Sequence, residues 1–264
     1  MADAVVRGVR LHYQRLGPEG AETRVVFVHG LVVDNLASWY FSVAGAVAAF
    51  ADVLVYDLRG HGRSERPRVG YAVQDMVLDL AELLDVVFGE SRVCLVGNSF
   101  GALLAIACAR RFPERIAGLV LVDGHLGDDG FADRMAHTLS LRGEQADRVI
   151  AEAFRHWPGR DSARKRGRLV EQAHALVLET SLVEDLRATA PLRSADFRRI
   201  DAPTLALYGE RSDVVARSAP LLACMPRCTL DVLAGCTHSV LWEATDEVRA
   251  RIAAFCRHLA GERA

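Results

Sequence analysis

The sequence predicts an α/β protein: a doubly wound, mostly parallel sheet that carries a helical cap between two of its strands. Three observations predict it. Short runs that are apolar on both faces alternate with amphipathic stretches in the first half of the chain. That alternation stops after residue 124 and resumes near residue 199. One apolar run ends abruptly in G-N-S-F-G at residues 97–101, a sharp corner into a segment rich in small residues.

The elements follow in order. Residues 4–15 read as a hairpin or a pair of short strands. RVVFVHG (24–30) is β-branched and apolar on both faces, the pattern of a central parallel strand, and DVLVYDLRG (52–60) is a second. Residues 73–89 form an amphipathic helix. Its apolar positions Met76, Val77, Leu80, Leu83, Leu84 and Val87 recur at spacings of three and four, and Gly89 stops it. RVCLVGN (92–98) and IAGLVLVDG (116–124) are two more central strands. The small-residue helix between them suits close packing on a sheet. Residues 125–198 hold no convincing strand, only amphipathic helical stretches broken at Pro158-Gly159. Strand and helix return at 204–210, 214–225, 228–235 and 242–260. The predicted division is a core of residues 1–124 and 199–264 with a cap at 125–198.

Bulk composition narrows the function classes. The chain has 264 residues, 51% of them hydrophobic, which supports one sizeable core and argues against disorder. A net charge of -2 gives no reason to expect nucleic acid or an acidic membrane as partner. The N-terminal segment carries Asp3, Arg7 and Arg10, so it is not read as a signal peptide, and no apolar run is long enough to span a bilayer. Cys94, Cys108, Cys224, Cys228, Cys236 and Cys256 form no C-x-x-C pair. They read as mostly buried small hydrophobes in a reducing cytoplasm, with spacing poor for zinc. No phosphate-cradling loop is present, and neither a metal nor an organic cofactor is expected.

The corner at Ser99 carries the chemistry. Ligand sites in such sheets lie beyond the carboxyl ends of the strands. A strand that turns sharply into a helix strains the corner residue, and glycine is needed at Gly97 and Gly101 to avoid collision. G-x-S-x-G is therefore the geometry of a hydroxyl exposed above a sheet. On this pattern alone, a helix N-cap serine is the competing reading.

Four stations in order resemble the α/β-hydrolase superfamily over nearly the whole chain outside the cap. They are FVHG (27–30), YDLRGHGRSERP (56–67), GNSFG (97–101), and the pair YGERSDVV (208–215) with CTHSVLWE (236–243). The resemblance implies Ser99 as nucleophile, His238 as its base and Asp213 as the acid that orients the imidazole. Asp123, which ends the preceding strand, is the alternative acid, and Glu210 a more remote one. The backbone amides of Leu31 and Phe100 are implied as the oxyanion hole. His29 is read as a structural loop histidine and His61 as packing in the RGHGRS turn, which Asp57 and Arg59 hold through local hydrogen bonds. His125, His137, His156 and His174 lie in or near the cap.

Serine at the elbow argues against haloalkane dehalogenases and epoxide hydrolases, which resemble this chain but place aspartate there. Asn98 before Ser99, ASWYF (37–41) and HSVLWE (238–243) resemble the carbon–carbon bond hydrolases, whose glycine-rich segment after H-G is here LVVDNL. With Phe131, Met135, Leu139, Phe154, Trp157, Leu176 and Leu178 in the cap, the expected substrate is a mainly apolar small molecule, free or carrier-bound. Resemblance to hydrolases of secondary metabolism implies an ester, thioester or lactone. Carbon–carbon hydrolysis or acyl transfer by the same residues is the alternative, and a non-catalytic receptor of the same fold is the third. The oligomeric state is not legible.

Overall fold

The computed structural model describes residues 2–153 and 163–261. Phe154, His156, Trp157 and the Pro158-Gly159 break lie outside the described residues. The sheet has eight strands: β1 (Ala2–Val6), β2 (Val9–Leu16), β3 (Arg24–Val28), β4 (Asp52–Tyr56), β5 (Val93–Asn98), β6 (Ile116–Val122), β7 (Thr204–Gly209) and β8 (Cys228–Leu233). Their spatial order is β1-β2-β4-β3-β5-β6-β7-β8. The first hairpin is antiparallel and β2 pairs antiparallel with β4; every later pairing is parallel. The continuous apolar runs are the strands buried on both faces.

Each strand feeds alternate residues to two cores. Val26 and Val28 of β3 join the core beneath α3 (Val73–Phe88) and α4 (Phe100–Arg111). Val25 and Phe27 face the other side. There they meet Trp39 of α1 (Ala37–Trp39), α2 (Gly45–Ala48) and the last helix. A π-helical turn over Tyr40–Ala44 joins α1 to α2. Helix α3 ends at Gly89, whose φ is 58°, as the glycine stop predicts. Small residues on α4 let it lie close: Gly101, Ala102, Ala105 and Ala109 are all buried.

Among the described residues between β6 and β7 lie five helices: α5 (Phe131–Ser140), α6 (Glu144–Ala153), α7 (Ala163–Glu179), α8 (Leu182–Arg187) and α9 (Ser194–Phe197). Among the described residues of this stretch no strand occurs. It is not a separate core, because Phe131, Leu176, Leu182, Leu186 and Phe197 join the buried cluster that covers the α3–α4 face of the sheet. Helix α10 (Val215–Leu222) precedes β8, and α11 (Val240–Glu243) and α12 (Thr245–Gly261) close the chain. No helix among the described residues is long and apolar enough to cross a membrane.

The loop after β4 keeps the expected local bond at Asp57, whose Oδ2 accepts from Arg63 N at 2.8 Å, but Arg59 departs from it. Arg59 reaches out of its own turn to α3, donating from Nε to Asp79 Oδ2 at 2.6 Å and from Nη2 to Oδ1 at 2.7 Å. Both side chains are buried, so removing one strands a charge in the interior. Arg59→Ala is expected to cost about 3–5 kcal/mol in a urea unfolding titration. A loss under about 1 kcal/mol would mean the pair is hydrated and contributes little.

Candidate active site

Ser99 sits where β5 turns into α4, at φ 52° and ψ -114°. This strained backbone is held from both sides. The Ser99 amide donates to Val122 O at 3.0 Å, and its carbonyl accepts from Ala102 N at 3.2 Å and His125 N at 3.1 Å. The two glycines are required for separate reasons. A Cβ at Gly97 would lie 2.4 Å from Gly101 O, inside the turn itself. A Cβ at Gly101 would lie 2.3 Å from Val28 O, at the end of the neighbouring strand. The collision inferred from the sequence is thus with the turn in one case and with β3 in the other.

Ser99 Oγ lies 3.0 Å from His238 Nε2. His238 Nδ1 lies 2.6 Å from Asp123 Oδ2. A carboxylate only accepts, so Nδ1 carries the proton and Nε2 is left to accept from the serine hydroxyl. Asp123 is fully buried at the end of β6, with φ 42°. Its Oδ1 accepts from Gly209 N at 2.8 Å, and its Oδ2 accepts from Ser212 Oγ at 2.5 Å as well as from His238. The histidine loop comes within reach because Gly209 has no side chain: a Cβ there would lie 2.4 Å from Thr237 O.

The expectation that Asp213 holds the imidazole is corrected. Its side chain is 78% exposed and accepts from Arg217 Nη2 at 2.7 Å, one helical turn on. The physical reason lies in the turn after β7. The Ser212 amide closes onto Gly209 O at 3.1 Å, which aims the Ser212 hydroxyl inward at Asp123. The next residue, Asp213, is then turned away from His238 Nδ1 and onto the mouth of the cavity that Ser99 and His238 also line. β6 and β7 are adjacent, so either strand end could serve the histidine loop. Glu210 is elsewhere engaged, accepting from Gly235 N at 2.8 Å.

Leu31 lines both cavities that meet Ser99, Phe100 follows Ser99 in the chain, and among the described residues neither backbone amide donates to a protein acceptor. His61, expected to pack in the RGHGRS turn, also holds the loop that bears Leu31. His61 takes the Val32 amide on Nε2 at 2.8 Å, with Nδ1 at 2.8 Å from Arg59 O. That bond fixes Val32 at φ 67°, a costly conformation for a β-branched residue. His29 Nε2 accepts from Leu58 N at 3.0 Å, and Asp57 accepts from Leu36 N and Arg63 N, both at 2.8 Å. Burial pushes His61 down to about 3 and His29 down to about 4.

A cavity of about 640 Å³ opens on the cap side of Ser99. Met135, Leu139, Val177 and Leu178 give it an apolar wall, while Phe131 and Leu176 are buried in the core instead. His137 and His174 line it, and so does His125, whose ring centroid is 5.4 Å from that of His238. Burial, then the nearby His238, pushes His125 down to about 3, so it faces the cavity uncharged near neutral pH. A second cavity of about 180 Å³ meets Ser99 and His238 from the other side, between Asp34, Asn98, Ser239 and Trp242. Among the described residues no cluster of His, Cys, Asp and Glu could hold a metal.

The sequence profile of the alpha/beta hydrolase family matches residues 25–251. The chain belongs to the alpha/beta hydrolase family. Among curated relatives, this hydrolase is 29% identical to a Pseudomonas putida protein named 2-hydroxy-6-oxononadienedioate/2-hydroxy-6-oxononatrienedioate hydrolase 2, across 95% of this chain and 92% of the relative. Among solved structures, an enol-lactonase from Burkholderia xenovorans LB400 superposes with a TM-score of 0.75 at 23% identity, covering 96% of this chain and 99% of the other. An esterase from Rhodococcus sp. ECU1013 does so at 0.77 and 23%, covering 97% and 98%. At that identity the structural likenesses establish the fold alone.

Two outcomes are expected. Asp123→Asn should lower kcat by about 10⁴-fold, because it inverts the tautomer His238 needs, while Asp213→Asn stays within about tenfold of wild type. Steady-state kinetics on any turned-over ester checks the ranking, and the opposite order would return the acid to β7. The second concerns pH. The unfolded chain protonates its histidines near the ordinary value of 6.5, but folded His61 resists until about 3. Below 6.5 the unfolded state therefore binds more protons, and folding weakens as pH falls toward 3. Melting temperatures across this range should fall less steeply in His61→Gln; an unchanged slope would show that His61 is not held neutral.

Proposed function

We propose that this chain is a serine hydrolase that cleaves a carboxylic ester, thioester or lactone of a mainly apolar small molecule through an acyl-enzyme. The observation that carries the reading is the Ser99–His238–Asp123 chain of hydrogen bonds, at 3.0 and 2.6 Å, opening on the apolar cavity of about 640 Å³. His238 Nε2 takes the Ser99 proton as Oγ attacks the carbonyl carbon, and the carbonyl π electrons move onto oxygen. The amides of Leu31 and Phe100 receive that oxyanion. The intermediate collapses, and His238 passes the proton to the departing alcohol or thiol. Water then repeats the cycle on the acyl-enzyme and frees the acid. Asp123 stays ionised and stabilises the imidazolium in both halves. The acyl group is accepted free or as the thioester of a carrier.

Carbon–carbon hydrolysis is the second reading, favoured by the near full-length match to a relative named for a dienedioate. A non-catalytic receptor is disfavoured by the intact hydrogen bonds from serine to acid. Fluorophosphonate labelling followed by intact mass, on wild type and Ser99→Ala, tests the proposal together with p-nitrophenyl esters, acyl thioesters and a ring-opened dienone. Wild type should gain one phosphonyl adduct and turn over esters. Ser99→Ala should do neither, with kcat down by about 10⁶-fold. Turnover of the dienone alone would move the assignment to the second reading. Equal rates in both proteins would remove Ser99 from the chemistry.

A further inference from the structure

Asp34 lies outside the hydrogen-bonded triad, yet it is the most heavily engaged group beside it. Its Oδ2 accepts from Gly30 N at 2.7 Å. Its Oδ1 accepts from Asn35 N at 2.9 Å and from the Ser38 hydroxyl. Asn98 lines the same small cavity as this carboxylate, and its side chain favours the charged form. The three donors and Asn98 come from different parts of the site. Gly30 and Asn35 belong to the loop that carries Leu31, Ser38 belongs to α1, and Asn98 immediately precedes Ser99. One carboxylate therefore ties down the loop that bears Leu31 and sits beside the elbow that bears Ser99. The fit is close, since a Cβ on Gly30 would lie 3.0 Å from Asp34 Oδ2 and 3.6 Å from Ser99 Cβ.

We propose that Asp34 is a positioning residue whose ionised carboxylate sets the Leu31 amide against Ser99, so that the site turns over only while Asp34 is charged. The inference rests on the serine-hydrolase reading above. All three bonded partners are donors, which a carboxylate accepts without having to give up a proton of its own. Protonation turns one acceptor into a donor facing an N–H, and the loop must then move.

The surroundings bring this titration into the working range. Burial raises Asp34 to about 6, against the pull of the Gly30 and Asn35 amides and of the Asn98 side chain. His238 lines the same small cavity, and no Lys or Arg does. Asp57, behind the loop, is raised chiefly by burial and to a lesser degree by the Asp34 charge. His29, whose Nδ1 lies 2.6 Å from Gly30 O, and His61 beneath Val32 are held neutral and offer no compensating positive charge.

The test uses the whole protein, p-nitrophenyl butyrate hydrolysis, and the rate of fluorophosphonate labelling of Ser99 as a function of pH. Asp34→Asn should lower kcat by about 100-fold, the scale of one lost oxyanion donor. KM should stay within about threefold, and the labelling rate should fall with kcat. Ser38→Ala keeps the carboxylate but removes a donor to its charged form, so the acid limb of the kcat/KM profile should move to higher pH. A limb unmoved in Ser38→Ala would overturn the proposal, even if Asp34→Asn proved unable to fold. So would an Asp34→Asn protein that labels at the wild-type rate. A folded wild type that neither labels nor hydrolyses would sink the hydrolase reading itself, and this inference with it.

Discussion

The buried carboxylate of Asp123 is the interaction on which the rest of the site depends. It is an anion with no solvent, placed on strained backbone at the end of β6. Such a group persists only when its lone pairs are filled. Three donors fill them: the Gly209 amide, the Ser212 hydroxyl and the His238 imidazole. The first two fix the turn after β7, and the third fixes the histidine loop. The same carboxylate thus locates the imidazole over Ser99 and sets its tautomer. Remove the charge and the ends of two strands lose their common anchor.

The sheet explains why so few residues suffice. β3, β5, β6 and β7 lie side by side and parallel, so their carboxyl ends open onto one edge. The loop bearing Leu31, then Ser99, Asp123 and the turn that aims Ser212 come from those four ends in turn. Glycines at positions 97, 101 and 209 allow three of the backbones to approach more closely than any side chain would permit. Strain at Ser99, Asp123 and Val32 is confined to this edge, where neighbouring hydrogen bonds hold it.

Much of this was legible in the sequence because it rests on steric necessity. An apolar run buried on both faces, a glycine stop and a glycine-flanked serine each have few physical alternatives. The placement of Ser99 and His238 followed from such signals. The acid did not. Asp123 and Asp213 end neighbouring strands, and the choice between them turns on whether Ser212 or Asp213 faces inward. That depends on the Gly209–Ser212 turn, which leaves no periodic mark. Arg59 looked like a local loop residue, but its partner Asp79 lies on α3, and pairing over that distance is a matter of tertiary packing. Asp34 was visible only as the acidic member of LVVDNL; its three donors are gathered by the fold.

The most direct measurement is the low-field proton spectrum of ¹⁵N-histidine-labelled protein, recorded at low temperature. An imidazole Nδ1–H donating to a buried carboxylate should give a resonance far downfield of the amides. The expected result is a signal that disappears in His238→Gln and Asp123→Asn and persists in Asp213→Asn. Loss of the signal in Asp213→Asn, with its retention in Asp123→Asn, would contradict the assignment of Asp123 as the partner of His238.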